Sequence, residues 1–230
     1  MADTATLTSM IARCRRLSNQ ETLDQANALC TDAEITDHLN HELRQVYNAL
    51  VAARGGNYYR TSTSFSTVAG TEAYNLPAGF YQLLLCVVTA GAGNRFSVPE
   101  MTDAEAYDYE TGLGVVRSQY PERYQLRAGT IAFAPIPSSV VSVTLIYVPA
   151  YTALAAGGDT FDGVGGFEEA AVWRVVANMV TKDELDPSFA IGKAQEWDAQ
   201  IKALAGDRDA NRPQRIQRTR RHRDGWGVMP

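Results

Sequence analysis

Residues 43–67, LRQVYNALVAARGGNYYRTSTSFST, contain the point at which the apolar pattern of this chain changes its period. Before Gly55-Gly56, apolar residues recur at helical spacing and fall on one face of a helix. The residues of this face are Ile35, Leu39, Leu43, Val46, Tyr47 and Leu50. After the glycines, residues 59–67 alternate between two faces and are rich in β-branched and aromatic residues, which predicts a strand. The stretch therefore predicts a helix that the glycines end with positive backbone angles, followed directly by β structure.

Two helices are predicted before the glycine pair. The first covers residues 6–17, and a less periodic stretch rich in Gln, Asn and Asp follows at 18–29. The second helix begins after Thr31, because Thr31 and Glu34 have the spacing of a capping box, in which each side chain accepts a hydrogen bond from the other residue's backbone N–H. The N-terminal region therefore contributes two helices.

Residues 57–150 are predicted to form an antiparallel β meander. The predicted strands are 59–67, 72–76, 81–89, 95–98, 123–127, 130–134 and 140–147. The predicted turns are 68–71, 91–94, 127–129 and 135–137. Because a short turn separates the first two strands, we expect 72–76 to pair with 59–67 as its return strand. Thr102 and Glu105 form a second capping box, which predicts a short helix at 102–110.

A helical pattern returns at residue 167, after the glycine-rich segment 157–166. Residues 167–184 are apolar on nearly every face, which predicts a central buried helix. A last helix is predicted at 188–205, where one apolar seam precedes Gly206, which we expect to stop the helix. The seam consists of Ala194, Trp197, Ile201 and Leu204.

These elements predict an α+β fold in four parts. Residues 1–56 supply N-terminal helices to a helical bundle, and residues 57–150 form an inserted antiparallel β domain that carries the short helix. Residues 151–206 supply a loop and the C-terminal helices of the same bundle, and residues 207–230 form an Arg-rich extended arm.

The composition is that of a folded protein with one large domain or two small ones. Of its 230 residues, 45% are hydrophobic and 20% are charged, close to globular averages. No apolar run approaches the roughly 18 residues of a membrane helix, and Arg13, Arg15 and Arg16 break the first apolar stretch, unlike in a signal peptide. The three cysteines lack paired spacing, which indicates reduced thiols. We expect a soluble protein made in a reducing compartment, without a membrane partner.

Catalytic and metal-binding patterns are weak. His38 and His41 are three residues apart, whereas a zinc hydrolase helix places two histidines four apart. The segment 157–166 lacks the Gly-Lys-Ser/Thr ending of a phosphate-binding loop, and Glu168 and Glu169 would occupy the positive helix end that a phosphate needs. No GxSxG motif accompanies the strand serines. We therefore predict no catalytic residue, no metal and no cofactor. A cell-wall hydrolase with two facing carboxylates stays an alternative.

The C-terminal segment differs sharply in charge from the rest of the chain. Residues 207–230 hold seven arginines, no lysine and three aspartates, a net charge of +4, whereas the other 206 residues hold 14 basic and 23 acidic side chains, a net charge of −9. Arginine favours bidentate pairing with carboxylates or phosphates, and a tryptophan near the end offers a large apolar anchor. The predicted partner-binding residues are Arg208, Arg212, Arg215, Arg218, Arg220, Arg221, Arg223 and Trp226. Fully extended, the segment spans up to about 80 Å; a solvated tail without a partner is the alternative.

Several segments resemble one known family. They are NYYRTSTSFST (57–67), YNLPAGFYQL (74–83), YQLRAGTIAFAPIP (124–137), VTLIYVPAY (143–151) and FEEAAVWRVVANMVTKDELDP (167–187). In this order they are similar to head-to-tail adaptor proteins of tailed bacteriophages, in particular the gatekeeper or tail tubular protein A type. The resemblance covers about residues 6–206, and the ending DGWGVM (224–229) is also similar.

The resemblance implies a non-enzymatic, twelvefold ring under the portal, which extends the DNA channel and serves as a platform for the tail. The implied partners are the portal protein, neighbouring copies of the chain, the tail nozzle or tube protein, and packaged DNA that passes without sequence-specific binding. The implied location is the head–tail interface of the virion, and the host cytoplasm during assembly. In this family the C-terminal arms dock on the portal, which would assign that role to residues 212–226. A nucleic-acid-binding protein that uses its Arg-rich tail stays the main alternative.

Overall fold

The structure, a computed structural model, describes residues 5–21, 30–54, 56–111, 117–161 and 166–210. The helices are α1 (Leu7–Leu17), α2 (Asp32–Arg54), α3 (Asp103–Thr111), α4 (Glu168–Lys182) and α5 (Ser188–Ala210). The strands are β1 (Thr61–Ser66), β2 (Ala73–Asn75), β3 (Phe80–Thr89), β4 (Arg95–Val98), β5 (Arg117–Ser118), β6 (Arg123–Arg127), β7 (Thr130–Ala134), β8 (Ile136–Pro137) and β9 (Ser142–Pro149). Helices precede and follow antiparallel sheets, so the α+β class predicted from the sequence is confirmed.

Both predicted capping boxes are present. The backbone N–H of Thr31 donates to Glu34 Oε2 at 2.8 Å, and the N–H of Glu34 donates to Thr31 Oγ1 at 3.2 Å. Thr102 and Glu105 make the same two bonds at 2.8 and 3.3 Å at the start of α3. All six apolar residues predicted for one face of α2 are buried. The sequence predicts these capping boxes well because the two residues of each box lie within one helical turn.

The predicted meander is wrong in its strand pairing. β1 does not pair with β2; it pairs antiparallel with β9, and the four-stranded sheet has the order β1-β9-β3-β4. β2 instead joins a three-stranded sheet in the order β2-β7-β6. The loop between β1 and β2 still turns, because Tyr74 Oη donates to the carbonyl oxygens of Val68 and Thr71. Tyr74 then packs between Phe65 and Phe133, which carries β2 into the second sheet.

The predicted turn at 135–137 is also corrected. Residues of β8 form a short parallel pair with β5, with Arg117 opposite Ile136. The hairpin between β6 and β7 is present as predicted, with Arg127 opposite Thr130 and a left-handed φ of 47° at Ala128. A two-residue connection with such backbone angles fits the twist of paired strands.

The helices and the sheets bury two large apolar cores, beside a small third cluster under α3. The first lies among α1, α2, α4 and α5 and includes Val148 from the end of β9. The second lies between the two larger sheets and includes Val143 and Leu145 of β9 together with Ile131 and Phe133 of β7. β9 therefore contributes to both cores, and a change in its register would move apolar side chains away from each.

Polar contacts of α2 tie the helices to the segment that follows β9. Asn40 Nδ2 donates to the Leu154 carbonyl at 2.9 Å, and Asn40 Oδ1 accepts from the Leu154 N–H and from Tyr151 Oη, each at 2.8 Å. Tyr47 Oη donates to the Pro149 carbonyl at 2.6 Å. These bonds satisfy backbone groups where the chain leaves the sheet.

Gly56, the second glycine of the pair after α2, has a different role from the predicted one. Gly55 lies outside the described residues, and Gly56 does not have a positive φ. Gly56 lies against Leu84 and Val148, and a Cβ at this position would overlap Leu84 Cδ2. The glycine thus permits a close approach between the chain and the sheet.

The ends of α4 and α5 also differ from the predicted ones. α4 ends at Lys182 in a Schellman motif, in which the N–H of Leu185 donates to the Val180 carbonyl and Glu184 has a φ of 57°. α5 does not stop at Gly206 but runs through it to Ala210, so the helix includes four residues assigned to the extended arm. One glycine in a helix costs only about 1 kcal/mol relative to alanine, which does not end a helix by itself.

Candidate partner-binding surfaces

Of the eight predicted binding residues, the structure describes the backbone of one, Arg208. Arg208 lies in the last turn of α5, and nothing is described of its side chain. The other predicted residues, Arg212, Arg215, Arg218, Arg220, Arg221, Arg223 and Trp226, lie outside the described residues. The Arg-rich segment therefore continues from the C-terminal end of α5. α5 itself has 23 residues, about 35 Å at 1.5 Å per residue.

Arg174 of α4 joins three helices, because it bonds to side chains of both α2 and α5. Its Nη1 donates to Glu42 Oε2 of α2 at 3.2 Å, and its Nη2 donates to Asp198 Oδ1 of α5 at 2.5 Å. The Glu42 side chain is 13% exposed and that of Arg174 is 23% exposed, so both charges are largely shielded from water. No sequence pattern marks this cluster, because its three residues are far apart in the chain. It fixes the helix whose end carries the Arg-rich segment.

An exposed apolar surface lies where α4 turns into α5. Leu185 and Phe189 are 57% and 69% exposed, although Phe189 makes an edge contact with Trp173 at 5.8 Å between ring centroids. Three carboxylates, Asp183, Glu184 and Asp186, are exposed in the same turn. In the sequence, this surface is marked by the segment KDELDPSF (182–189). Its apolar residues do not belong to the apolar seam predicted for the last helix.

The four-stranded sheet ends in two strands whose outer edges pair with no other strand among the described residues. These are β1 at one side and β4 at the other. Four of the six residues of β1 are exposed, and Phe96 of β4 is 38% exposed. On the outer face of the sheet, Ser64 Oγ and Thr144 Oγ1 are 2.8 Å apart, within hydrogen-bond distance. A free strand edge presents unpaired N–H and C=O groups and is a surface for a further strand.

Of the residues considered for metal or phosphate chemistry, 162–165 lie outside the described part of the chain. His38 and His41 are exposed on α2, and the only contact described for either ring is His41 Nε2 to Gln45 Nε2 at 2.9 Å. In the described part of the chain no three His, Cys, Asp or Glu side chains are placed to hold a metal ion. Gly166 N–H donates to Glu168 Oε2 at 3.1 Å, so a carboxylate does occupy the helix end, as the sequence indicated.

Two carboxylates near α1 have shifted pKa values. Backbone N–H groups of Ala155 and Ala156 each donate to Asp159 Oδ2 at 2.8 Å and hold the pKa of this carboxyl below its usual range. Partial burial raises the pKa of Glu169, and the nearby Arg13, 2.8 Å away, opposes this shift. The Arg13–Glu169 pair joins α1 to the first turn of α4, whereas the Asp159 carboxylate accepts its bonds within its own loop.

One comparison with known proteins gives a match over most of the chain. The family described as SU10 adaptor protein matches residues 5–223 of this chain. The chain belongs to this family. A search of curated proteins found no match. The match spans nearly the whole chain, including every arginine of the C-terminal segment, whereas Trp226 lies just beyond it.

Family membership gives this chain a structural role as a phage head-to-tail adaptor, which confirms the resemblance seen in the sequence. It places the adaptor in the virion and implies contact with portal and tail components. No helix among the described residues of the adaptor has both the length and the apolar content for a membrane span.

Proposed function

We propose that the adaptor assembles as a ring, twelvefold in symmetry, beneath the portal of a tailed phage. The ring extends the DNA channel, and DNA passes through it without sequence-specific binding. Its other side is the platform for the tail nozzle or tube protein, and assembly takes place in the host cytoplasm. The observation that carries this proposal is the family match over residues 5–223. Because the family is one of structural adaptors, we also propose that this protein has no enzymatic activity.

The proposed ring uses four parts of the chain. Residues 1–56 and 151–206 form the helical bundle, residues 57–150 form the β domain, and residues 207–230 form the arm, of which the first four residues are helical. The two apolar cores support the separation of bundle from β domain. Because β9 contributes to both cores, the two parts are tied together rather than joined by a free linker.

The proposed attachment segment is the Arg-rich C-terminus, which binds the portal protein or a neighbouring copy. Its positive charge complements acidic partner surfaces, and each arginine can form two parallel hydrogen bonds with one carboxylate. From the end of α5, residues 211–226 can reach roughly 55 Å when extended. That distance is enough to cross a neighbouring subunit of similar size, whose radius of gyration is roughly 17 Å.

The test of this proposal is to mix the adaptor with purified portal rings and to image the mixture by negative-stain electron microscopy. We expect the full chain to decorate one end of each portal ring with twelvefold density. A chain ending at Ala210 keeps all of α5 and should lose decoration with unchanged helix content by circular dichroism. Trp226→Ala should weaken co-sedimentation with portal more than Arg208→Ala, which lies within α5. Absence of decoration by the full chain contradicts the adaptor ring; decoration by the shortened chain contradicts only the role of the tail.

The charge of the tail also favours a second candidate function, binding of nucleic acid. Such binding depends on phosphate neutralisation and therefore weakens steeply as salt rises. The acidic body, with a net charge of −9, opposes it. Fluorescence anisotropy with a labelled duplex at 50 and 200 mM salt separates the two candidates: tight, salt-sensitive binding by the isolated adaptor supports the second.

A further inference from the structure

The two free edges of the four-stranded sheet are complementary in direction. Every neighbouring pair in the order β1-β9-β3-β4 is antiparallel. β4 therefore runs opposite to β1. A rotation about an axis roughly parallel to the strands leaves strand directions unchanged, so β1 of one copy meets β4 of the next copy in the antiparallel sense. Antiparallel pairing is the arrangement already used throughout this sheet.

The two edges also match in the faces of their side chains. Across the sheet, Ser64, Thr144, Val87 and Ser97 lie in one register row on the outer face. Phe65, Val143, Val88 and Phe96 lie in the next row, on the face toward the second sheet. If the next copy continues the sheet in the same rows, Ser97 of one copy lies beside Ser64 of the next. The half-exposed Phe96 then lies beside Phe65 of that copy. Aromatic pairs across strands stabilise sheets.

β1 lacks the features that normally protect an exposed edge. Its sequence, TSTSFS, has no charged residue, no proline and no glycine over six residues, and no bulge interrupts its pairing with β9. β4, RFSV, has one charged residue, at its first position. Proteins that leave a strand edge in water usually protect it with such features, because a bare edge pairs with other chains. The edge of β1 is therefore suited to be covered in the assembly.

We propose that β1 of one copy pairs antiparallel with β4 of the next copy, so that the sheets of the ring join edge to edge. This inference rests on the proposed ring and names the contact between neighbouring copies. The pairing is head to tail, since it uses two different edges. Such contacts form a closed ring where the rotation between copies closes, rather than a two-fold dimer.

The small size of the contact favours a ring over an isolated dimer. β4 has four residues, so the paired strip is about 13 Å long at roughly 3.3 Å per residue. Such a strip covers only a small part of the about 1,600 Å² that a stable interface of standard size buries. Two copies alone would therefore pair weakly, whereas each copy in a closed ring has both edges covered.

Disulfide cross-linking tests the pairing in the full chain. Paired positions in an antiparallel sheet have Cα atoms about 4.5–5.5 Å apart, within the range for a disulfide. We combine Ser97→Cys in one chain with Ser62→Cys, Ser64→Cys or Ser66→Cys in another, with and without portal rings, and oxidise each mixture. The exposed Ala203→Cys on α5 replaces Ser97→Cys in the control mixture. The native cysteines are buried and form no disulfide.

We expect one of the three mixtures to give cross-linked dimers in at least tenfold excess over the control mixture. The double variant with that pair should give a ladder of oligomers up to a closed ring. Ser64→Cys dimers without Ser97→Cys would show β1 pairing with β1 and would overturn the proposal. Rings that decorate portal but show no cross-link in any of the three mixtures would overturn the edge pairing and leave the adaptor ring intact. Absence of both rings and cross-links contradicts both proposals.

Discussion

Replacing Arg174 with methionine removes the charge that joins α2, α4 and α5 while keeping most of the side-chain volume. Two charge-assisted hydrogen bonds are lost, at 3.2 Å to Glu42 and 2.5 Å to Asp198. Fully exposed ion pairs contribute about 0.2–1 kcal/mol, whereas breaking a buried pair costs about 3–5 kcal/mol. Glu42 is 13% exposed and Asp198 is 34% exposed, so this cluster lies between the two limits. We expect Arg174→Met to lower the free energy of unfolding by about 2–4 kcal/mol.

The measurement is urea denaturation at pH 7, followed by circular dichroism. With a slope of roughly 2–3 kcal/mol per molar urea for a domain of this size, the midpoint should fall by about 1 M at an unchanged slope. Much of this loss comes from the Glu42 charge left without a partner, so adding Glu42→Gln to Arg174→Met should restore part of the stability. Lys193→Met, which removes an exposed pair with Glu196, is the control and should change stability by no more than about 0.5 kcal/mol.

A loss below about 0.5 kcal/mol for Arg174→Met would refute the reasoning, since it would place the cluster with ordinary surface pairs. The same conclusion would follow if the double variant were less stable than Arg174→Met alone. Repeating the urea denaturation at higher salt distinguishes a shielded cluster from a surface pair. Salt screening weakens exposed ion pairs far more than shielded ones, so the stability lost in Arg174→Met should change little.

Three further predictions test other parts of the fold. Gly56→Ala should destabilise the chain by about 1–3 kcal/mol in urea denaturation, because the new Cβ would overlap Leu84; an unchanged midpoint would contradict the close approach. Asp159→Asn should flatten the loss of stability in acid, because a carboxyl with a lowered pKa stabilises the fold above its ordinary pKa and loses this effect as the pH falls through the lowered value; parallel stability curves from pH 5 to 3 would contradict this. Burial raises the pKa of Cys14 and Cys86 to about 12, so both should resist iodoacetamide at pH 8 until urea unfolds the chain, as peptide mass spectrometry can show.

Much of the helical part could be predicted from the sequence because its signals are local. The capping box of Thr31 and Glu34 and the apolar face of α2 depend on residues within one or two turns. The end of α5 could not be predicted in the same way. Gly206 is a frequent helix terminator, yet its cost is small enough for the helix to continue to Ala210.

The strand pairing could not be predicted, because β1 contains little apolar pattern. Phe65 is its single large apolar residue, so the alternation that normally sets register is weak. The true partner, β9, lies about 80 residues further along the chain, with Phe65 opposite Val143. A short turn after β1 favours a hairpin in any local analysis. The aromatic contacts of Tyr74 with Phe65 and Phe133 override it and depend on tertiary structure.

The candidate binding surfaces divide in the same way. The Arg-rich tail is visible in composition alone, since seven arginines without a lysine stand out against an acidic body. The free edges of β1 and β4 and the exposed Phe189 follow only from which strands and helices are neighbours. A polar strand such as TSTSFS looks the same in sequence whether it lies inside a sheet or at its edge.

The tail and the sheet edges would act together in the assembly, and neither needs to bind tightly by itself. Once a tail holds one adaptor to a portal ring, the next adaptor binds beside it at a high effective concentration, and a weak edge contact then becomes an intramolecular event. Exposed arginine pairs contribute only about 0.2–1 kcal/mol each, so several of them must act at once for attachment. Because every contact in the proposed scheme is weak alone, we expect free adaptor copies to stay apart and rings to form on the portal surface.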